Sequence, residues 1–301
     1  MNSPADSATP RNDRVLAALA HAGILLWGYG GFIPAIIWSI RRRESSYTAF
    51  QTLQALAYQV ISIFVYVVVC LVVLIVLVPF SIPLLKVTLA AELTSSADFT
   101  LWIVAAVLLL VLAIAFTVLG LAGVVASLLG RDFRYPLIGG WLETQLCRLV
   151  SPSDGVAFGD PAERIMAALC HLNVILVISG MLVPLVVGVM EKSRSLRLQK
   201  EAAAALLWQG LQSVFWVGMS VVGGVASFLF PLLFYLWLEQ PGQGIGGAEP
   251  LQVMAVALVI LFALLVCLLV LAGFQVYGLL AFARVLKGSA YRYPLIARWL
   301  S

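Results

Sequence analysis

Four stretches of the chain stay apolar far longer than a soluble helix needs: residues 53–78, 100–129, 202–238 and 251–286. At about 1.5 Å of rise per residue, each reaches across roughly 30 Å of hydrocarbon. Each predicts a membrane-crossing helix. Shorter apolar segments precede each pair. Residues 14–27 and 32–40 are parted by Gly28-Tyr29-Gly30-Gly31, and residues 164–178 and 181–190 by Ser179-Gly180. Glycine clusters break helices, and Pro34 and Pro184 stand where a helix can restart. These segments predict half-helices. Pro79 and Pro83 are expected to close the first long helix, residues 86–98 to form a polar loop, and Pro231 to interrupt the third long helix.

The order of these segments repeats. Arg14, His21, Gly30, Pro34 and Gln59 recur 150 residues later as Arg164, His171, Gly180, Pro184 and Gln209. The closing motifs Gly130, Arg134-Tyr135-Pro136 and Trp141 recur at an offset of 158 as Gly288, Arg292-Tyr293-Pro294 and Trp299. The chain is a tandem duplication, and the second copy is longer by eight residues between Gln209 and Gly288. The Gly-rich loop 240–250 is the expected place for them.

Basic residues decide the topology. If residues 14–40 crossed the membrane as one kinked helix, the copies would be inverted. Seven of the 18 Lys and Arg residues would then lie on one side and eleven on the other. If they turn back as a broken hairpin, the copies are parallel and every Lys and Arg except Lys86 falls on one side. Cytoplasmic loops carry the Lys/Arg excess, so the hairpin is preferred. Two short true crossings would give the same parity. Half-helices of this length leave backbone groups unpaired at their tips, and these need protein or water around them.

Composition agrees. The 301 residues are 62% hydrophobic and 11% charged, with mean hydropathy +1.06, against roughly 25% charged residues in globular domains. Lipid must be the solvent of most of this surface. The net charge of +4 follows from the cytoplasmic basic excess and calls for no nucleic acid. Residues 1–13 read as a polar cytoplasmic tail without the apolar core of a cleaved leader. Cys70, Cys147, Cys170 and Cys267 form no CxxC pair and indicate neither disulfides nor a metal cluster.

Chemistry-bearing residues are few. His21 and His171 are the only histidines and share one repeat position. They suggest a paired proton or metal site across a pseudo-two-fold axis. The plainer reading, which is preferred, is a helix histidine bonded to a backbone carbonyl or a neighbouring helix. Gln51, Tyr58, Gln59, Ser62 and Tyr66 form a polar stripe, answered in the second copy by Glu201, Trp208, Gln209, Gln212 and Trp216. That stripe either lines a polar path between the copies or supplies interhelical hydrogen bonds; the second is preferred. Arg134, Tyr135, Trp141, Arg292, Tyr293 and Trp299 are expected to be interfacial anchors at headgroup level. Arg41 to Arg43 and Lys192 to Lys200 either bind anionic lipid or a soluble partner or only set orientation; the second is preferred. Gly120, Gly123, Gly223 and Gly224 are expected to permit close helix packing. Gly242-Gln243-Gly244-Ile245-Gly246-Gly247 lacks the Lys-Ser/Thr of a phosphate loop. No nucleophile–base or HExxH spacing is present, so no enzyme and no cofactor are expected.

Ala20-His21, the run Phe32-Ile33-Pro34-Ala35-Ile36-Ile37-Trp38, the Arg run with Glu44-Ser45, Gln54-Ala55-Leu56-Ala57-Tyr58-Gln59 and Arg134-Tyr135-Pro136 together resemble a small bacterial membrane domain. That domain is similar to the twenty-kilodalton subunit of the chloroplast inner-envelope protein translocon. The resemblance covers nearly all of residues 14–142. The second copy departs from it, with Gly188 in the place of Trp38 and Ala204-Ala205 in the place of Gln54-Ala55. The resemblance implies a four-helix membrane unit per copy, no catalytic residue, and a part in protein translocation.

The expected fold is all-α: a polytopic integral membrane protein of two tandem parallel repeats, each a broken helical hairpin plus two long transmembrane helices. The expected units are a tail (1–13), a first repeat (14–150), a linker (151–162) and a second repeat (163–301). The expected function is a non-enzymatic scaffold or component of a membrane or translocation complex. The alternative is a small transporter or channel with its path between the repeats. The expected partners are the lipid bilayer and membrane or cytoplasmic proteins. The expected place is a bacterial inner (cytoplasmic) membrane, with both termini cytoplasmic.

Overall fold

The computed structural model describes residues 9–89, 96–148, 160–238 and 250–296. The N-terminal tail up to residue 8, most of the linker, most of the Gly-rich loop and Trp299 fall outside them. Among the described residues there are helices and turns but no strand. The first repeat runs through α1 (Arg11–Ala22), α2 (Phe32–Arg41), α3 (Ser46–Leu89), α4 (Ser96–Leu128) and α5 (Ile138–Arg148). The second runs through α6 (Pro161–Leu172), α7 (Leu182–Met190), α8 (Leu196–Leu238) and α9 (Pro250–Leu286). The chain is an all-α membrane protein of two tandem parallel repeats, each with a broken hairpin and two long helices.

The long apolar runs form α3, α4, α8 and α9. Within them Ser46–Leu77, Thr100–Leu128, Leu196–Val225 and Leu265–Leu286 are long and apolar enough to cross a membrane. Their outer faces present side chains such as Ile75 and Val214, each 72% exposed, as a lipid-facing surface requires. Three boundaries differ from expectation. Pro79 and Pro83 do not end α3, which continues to Leu89, so Lys86 is helical rather than in a loop. Pro231 likewise lies inside α8. A proline removes one backbone bond, but transmembrane helices absorb it by local adjustment and neighbouring groups.

The hairpins break as the glycines suggest, but the reversal sits elsewhere. α1 ends at Ala22 and a 3-10 segment follows over Gly23–Tyr29. The chain turns at Trp27, with φ 48°. In the second copy it turns at Val177, with φ 51°, the same repeat position. Gly30 and Gly180 then let the tip fold onto the carbonyls of Gly23 and Asn173. Of the four glycines expected at helix contacts, two are there: a Cβ on Gly120 would meet Ile24 at 2.6 Å, and one on Gly123 would meet His21 at 2.9 Å. A Cβ on Gly223 or Gly224 would meet nothing within 4 Å.

Within each repeat the hairpin packs on the long pair: α1 on α3 and α4, α6 on α8 and α9. The repeats meet where α2 packs on α7 and α3 on α6. The halves are not equivalent. Residues Arg164 through Leu172 are all buried, because α3 and α5 of the first repeat also pack against α6. On α1, Val15 and Leu19 point outward.

Charge gathers at one end of this seam. Arg42 is not an orientation signal on the surface; its side chain is 4% exposed and pairs with Glu191, Glu163 and Asp160. Arg194 donates to the Ser39 carbonyl, and Arg43 to that of Arg194. Beside them Arg41 pairs with Asp13 at 2.8 Å. Burial works to raise the Asp13 carboxyl, but the Arg41 guanidinium outweighs it and holds the group below its ordinary 3.8. A depressed carboxylate stabilises the fold fully above that value, and the contribution fades as pH falls below it.

Candidate functional site

The two histidines occupy matching buried hubs. α1 brings His21, α3 brings Gln51, Gln54, Tyr58 and Gln59, and the turn after α4 brings Asp132, Phe133 and Tyr135. On α3 the spacing of Gln51, Gln54 and Tyr58 keeps all three on one face. His21 is fully buried. Its Nε2 lies 3.0 Å from Gln51 Oε1 and its Nδ1 2.9 Å from the Tyr135 hydroxyl. Gln51 Nε2 donates to Asp132 Oδ1 at 3.0 Å and to the Phe133 carbonyl at 3.1 Å. Its Oε1 is therefore the acceptor, His21 Nε2 carries the proton, and Nδ1 accepts from the Tyr135 hydroxyl. Gln54 completes the ring: it donates to the Phe133 carbonyl at 2.8 Å and accepts from the Tyr135 amide at 3.1 Å. Tyr58 stacks on Tyr135 with centroids 3.8 Å apart and donates to the Phe116 carbonyl at 2.7 Å.

The second hub repeats the plan with one change of chemistry. His171 Nδ1 lies 2.8 Å from the Tyr293 hydroxyl, and its Nε2 lies 3.2 Å from Glu201 Oε2. Glu201 takes the place of Gln51, so a carboxylate replaces an amide in a buried site. Trp208 replaces Tyr58, stacks on Tyr293 at 4.5 Å and donates to the Phe274 carbonyl at 3.1 Å. Phe274 answers Phe116 at the offset of 158, which places the eight extra residues before it. Gln59 and Gln209 do the same work in both copies: each donates to a carbonyl of its own hairpin, Ala20 at 3.0 Å and Cys170 at 2.8 Å.

Several expectations change here. The histidines are not brought together as one paired site, because both nitrogens of each ring are engaged within its own repeat. Among the described residues no group of three or more His, Cys, Asp or Glu is placed to hold a metal. Tyr135 and Tyr293 are not headgroup anchors. They are 2% and 1% exposed, with their hydroxyls turned to the histidines, since a buried phenol needs a partner more than an interfacial one does. Trp141 is half-buried against the main core, and Arg292 is exposed. Arg134 is also outside the hub, its half-exposed guanidinium bridging Asp132 and Glu143. Those three residues edge a surface groove of about 380 Å³ with Tyr47 and Phe50. Gln54, Asp132 and Arg42 were missed as functional positions. The one sequence signal for the tyrosines was that they repeat together with the histidines.

The hub joins three segments of chain, so its hydrogen bonds hold tertiary structure. Tyr135→Phe strips His21 Nδ1 of its donor, and Tyr293→Phe does the same to His171. Each variant is expected to lose about 1–3 kcal/mol, the cost of an orphaned buried polar atom. Helical signal followed on heating in detergent checks this. Unchanged midpoints in both variants would show that the hydroxyls hold nothing.

No curated protein and no solved structure matches the chain. A family of membrane proteins matches it twice, over residues 12–142 and again over 162–300, which are the two repeats. The chain belongs to the magnetosome magnetite crystal formation protein family.

Proposed function

We propose that the protein is a non-enzymatic scaffold: a rigid, duplicated membrane frame on whose basic face other proteins gather. On this reading it serves the magnetite crystal formation named in the family's description from a bacterial membrane, with both termini on the cytoplasmic side. One observation carries the reading. The glutamines that a polar path between the repeats would use, Gln59 and Gln209, turn their Nε2 groups into their own hairpins, onto the carbonyls of Ala20 and Cys170. Gln51 and Glu201 are likewise spent on the histidines. The membrane-embedded polar groups act as fastenings, which suits a frame better than a conduit.

The test pairs two variants. Gln59→Leu with Gln209→Leu removes two interhelical bonds worth on the order of 0.6 kcal/mol each. A scaffold should remain inserted and keep its co-purifying proteins. Lys192, Lys200 and Arg292 are exposed at the basic end, and converting all three to Gln should strip those partners without unfolding the chain. Solute flux through the purified protein in vesicles, abolished by the double leucine variant, would replace the scaffold with a transporter. Cysteine probes at Ser45, Ser195, Ser95 and Gly244 test the orientation: the first pair should label from the cytoplasm and the second from outside.

A further inference from the structure

Arg164 stands apart from every other part of this frame. It lies in the first turn of α6 and is 4% exposed. Its Nε is sealed from solvent without an acceptor, and among the described residues no carboxylate, carbonyl or hydroxyl takes a bond from its guanidinium. A buried guanidinium is normally paired, because an uncompensated charge costs far more than a paired one.

The first repeat shows what the position usually has. Arg14, its counterpart, is only half-buried and donates to the Thr9 carbonyl at 2.7 Å. Tyr47 lies within electrostatic reach of Arg14, Asp13 and Asp132 alike. The two neighbourhoods share one backbone. Gly130 and Gly288 both take positive φ, 72° and 89°. Arg131 N bonds Ala126 O, as Ser289 N bonds Arg284 O. In that register the second copy exchanges Tyr47 for the half-buried Arg197 and Asp132 for Ala290. Asp13 becomes Glu163, whose two oxygens are engaged by Arg42 and by the Ser195 hydroxyl. One carboxylate is thus lost from this register, and one is committed elsewhere.

We propose that Arg164 is the core of an anion site at the basic end of the second repeat, and that it takes a phosphate group. A guanidinium offers a fixed fork of donors that suits phosphate oxygens. The site lies at the end of the bundle where the basic residues gather, so the phosphate is either that of an anionic lipid headgroup or that of a free phosphate from the cytoplasm.

The full-length protein, purified in a neutral detergent, tests this by its unfolding midpoint. One arm adds sodium phosphate against sodium chloride of equal ionic strength. The other adds phosphatidylglycerol to the micelles. A ligand that binds only the folded state raises the midpoint. We expect wild type to rise in at least one arm, and which arm responds identifies the source. Arg164→Gln should lose that rise, and Arg14→Gln should keep it. Arg164→Gln should also melt at or above wild type without anion, since it removes an uncompensated charge, and below wild type with it. A merely structural arginine would lower the midpoint under all conditions. That result overturns the site, as does a wild-type midpoint that moves in neither arm or an equal rise in Arg164→Gln.

Discussion

Alanine at Gly30 or at Gly180 is expected to keep the corresponding hairpin from closing. A Cβ on Gly30 would lie 1.8 Å from the Gly23 carbonyl oxygen, and one on Gly180 2.0 Å from that of Asn173. Neither obstacle is a side chain that can swing aside. Gly30 has φ −68°, so it is space rather than conformational freedom that alanine would violate. Ordinary overpacking costs about 1–3 kcal/mol because neighbours yield. Here the yielding part would be the 3-10 turn that carries the reversal at Trp27 or Val177. A loss above about 4 kcal/mol is therefore expected, a large share of the ~5–15 kcal/mol that holds a typical fold. Gly218→Ala and Gly224→Ala serve as controls. A methyl group there meets nothing within 4 Å, and inside a helix it should gain up to about 1 kcal/mol. Yield of inserted protein and thermal midpoint in detergent read both. A Gly30→Ala protein that melts with wild type would mean that the tip is not packed this way.

What could be read from sequence divides along physical lines. The long helices were legible because membrane burial demands unbroken apolar runs, and the duplication was legible because whole segments recur. Helix ends at Pro79, Pro83 and Pro231 were misread, since a proline signal calibrated on water-exposed helices overstates its power inside a bundle. The glycine breaks were found, but the reversals at Trp27 and Val177 were not. A positive φ imposed on a tryptophan or a valine comes from packing of the two limbs and leaves no local mark. The hubs were half visible. His21 and His171 stood out by repetition, whereas Tyr135, 114 positions away from His21, carried the same aromatic-next-to-basic signature as a headgroup anchor. Only the fold distinguishes a tyrosine folded inward from one left at the surface. Arg42 was hidden in the same way: three successive arginines look alike in sequence, and the structure buries one of them.

Arg42 carries the second large effect. Its Nε and Nη2 grip Glu191 at 3.3 and 2.8 Å. Nη2 also reaches Glu163 at 2.7 Å, Nη1 reaches Asp160 at 3.1 Å, and the guanidinium lies 4.7 Å from the Trp38 ring. Glu163 and Glu191 belong to the second repeat and Asp160 to the linker just before it, so one side chain from the α2–α3 link fastens the two copies. Burial works against its charge, but Glu191 and then Glu163 outweigh it and hold the guanidinium above its ordinary range. A raised pKa keeps its stabilisation at every pH below the guanidinium's ordinary range, so the clamp is not released by alkalinity in any ordinary buffer. Arg42→Met leaves Glu191, whose side chain is fully buried, without its counter-charge. A loss of about 3–5 kcal/mol is expected, the usual result of breaking one half of a buried pair. Arg42→Lys keeps the charge but not the planar fork and should fall between. Arg42→Met combined with Glu191→Met should recover most of the loss, because a buried pair is often replaceable by apolar packing. Midpoints of the four proteins in detergent decide it. If the single methionine variant is as stable as wild type, the repeats are held by helix packing rather than by this clamp. If the double variant is worse than the single, the pair contributes net attraction rather than merely avoiding a stranded charge.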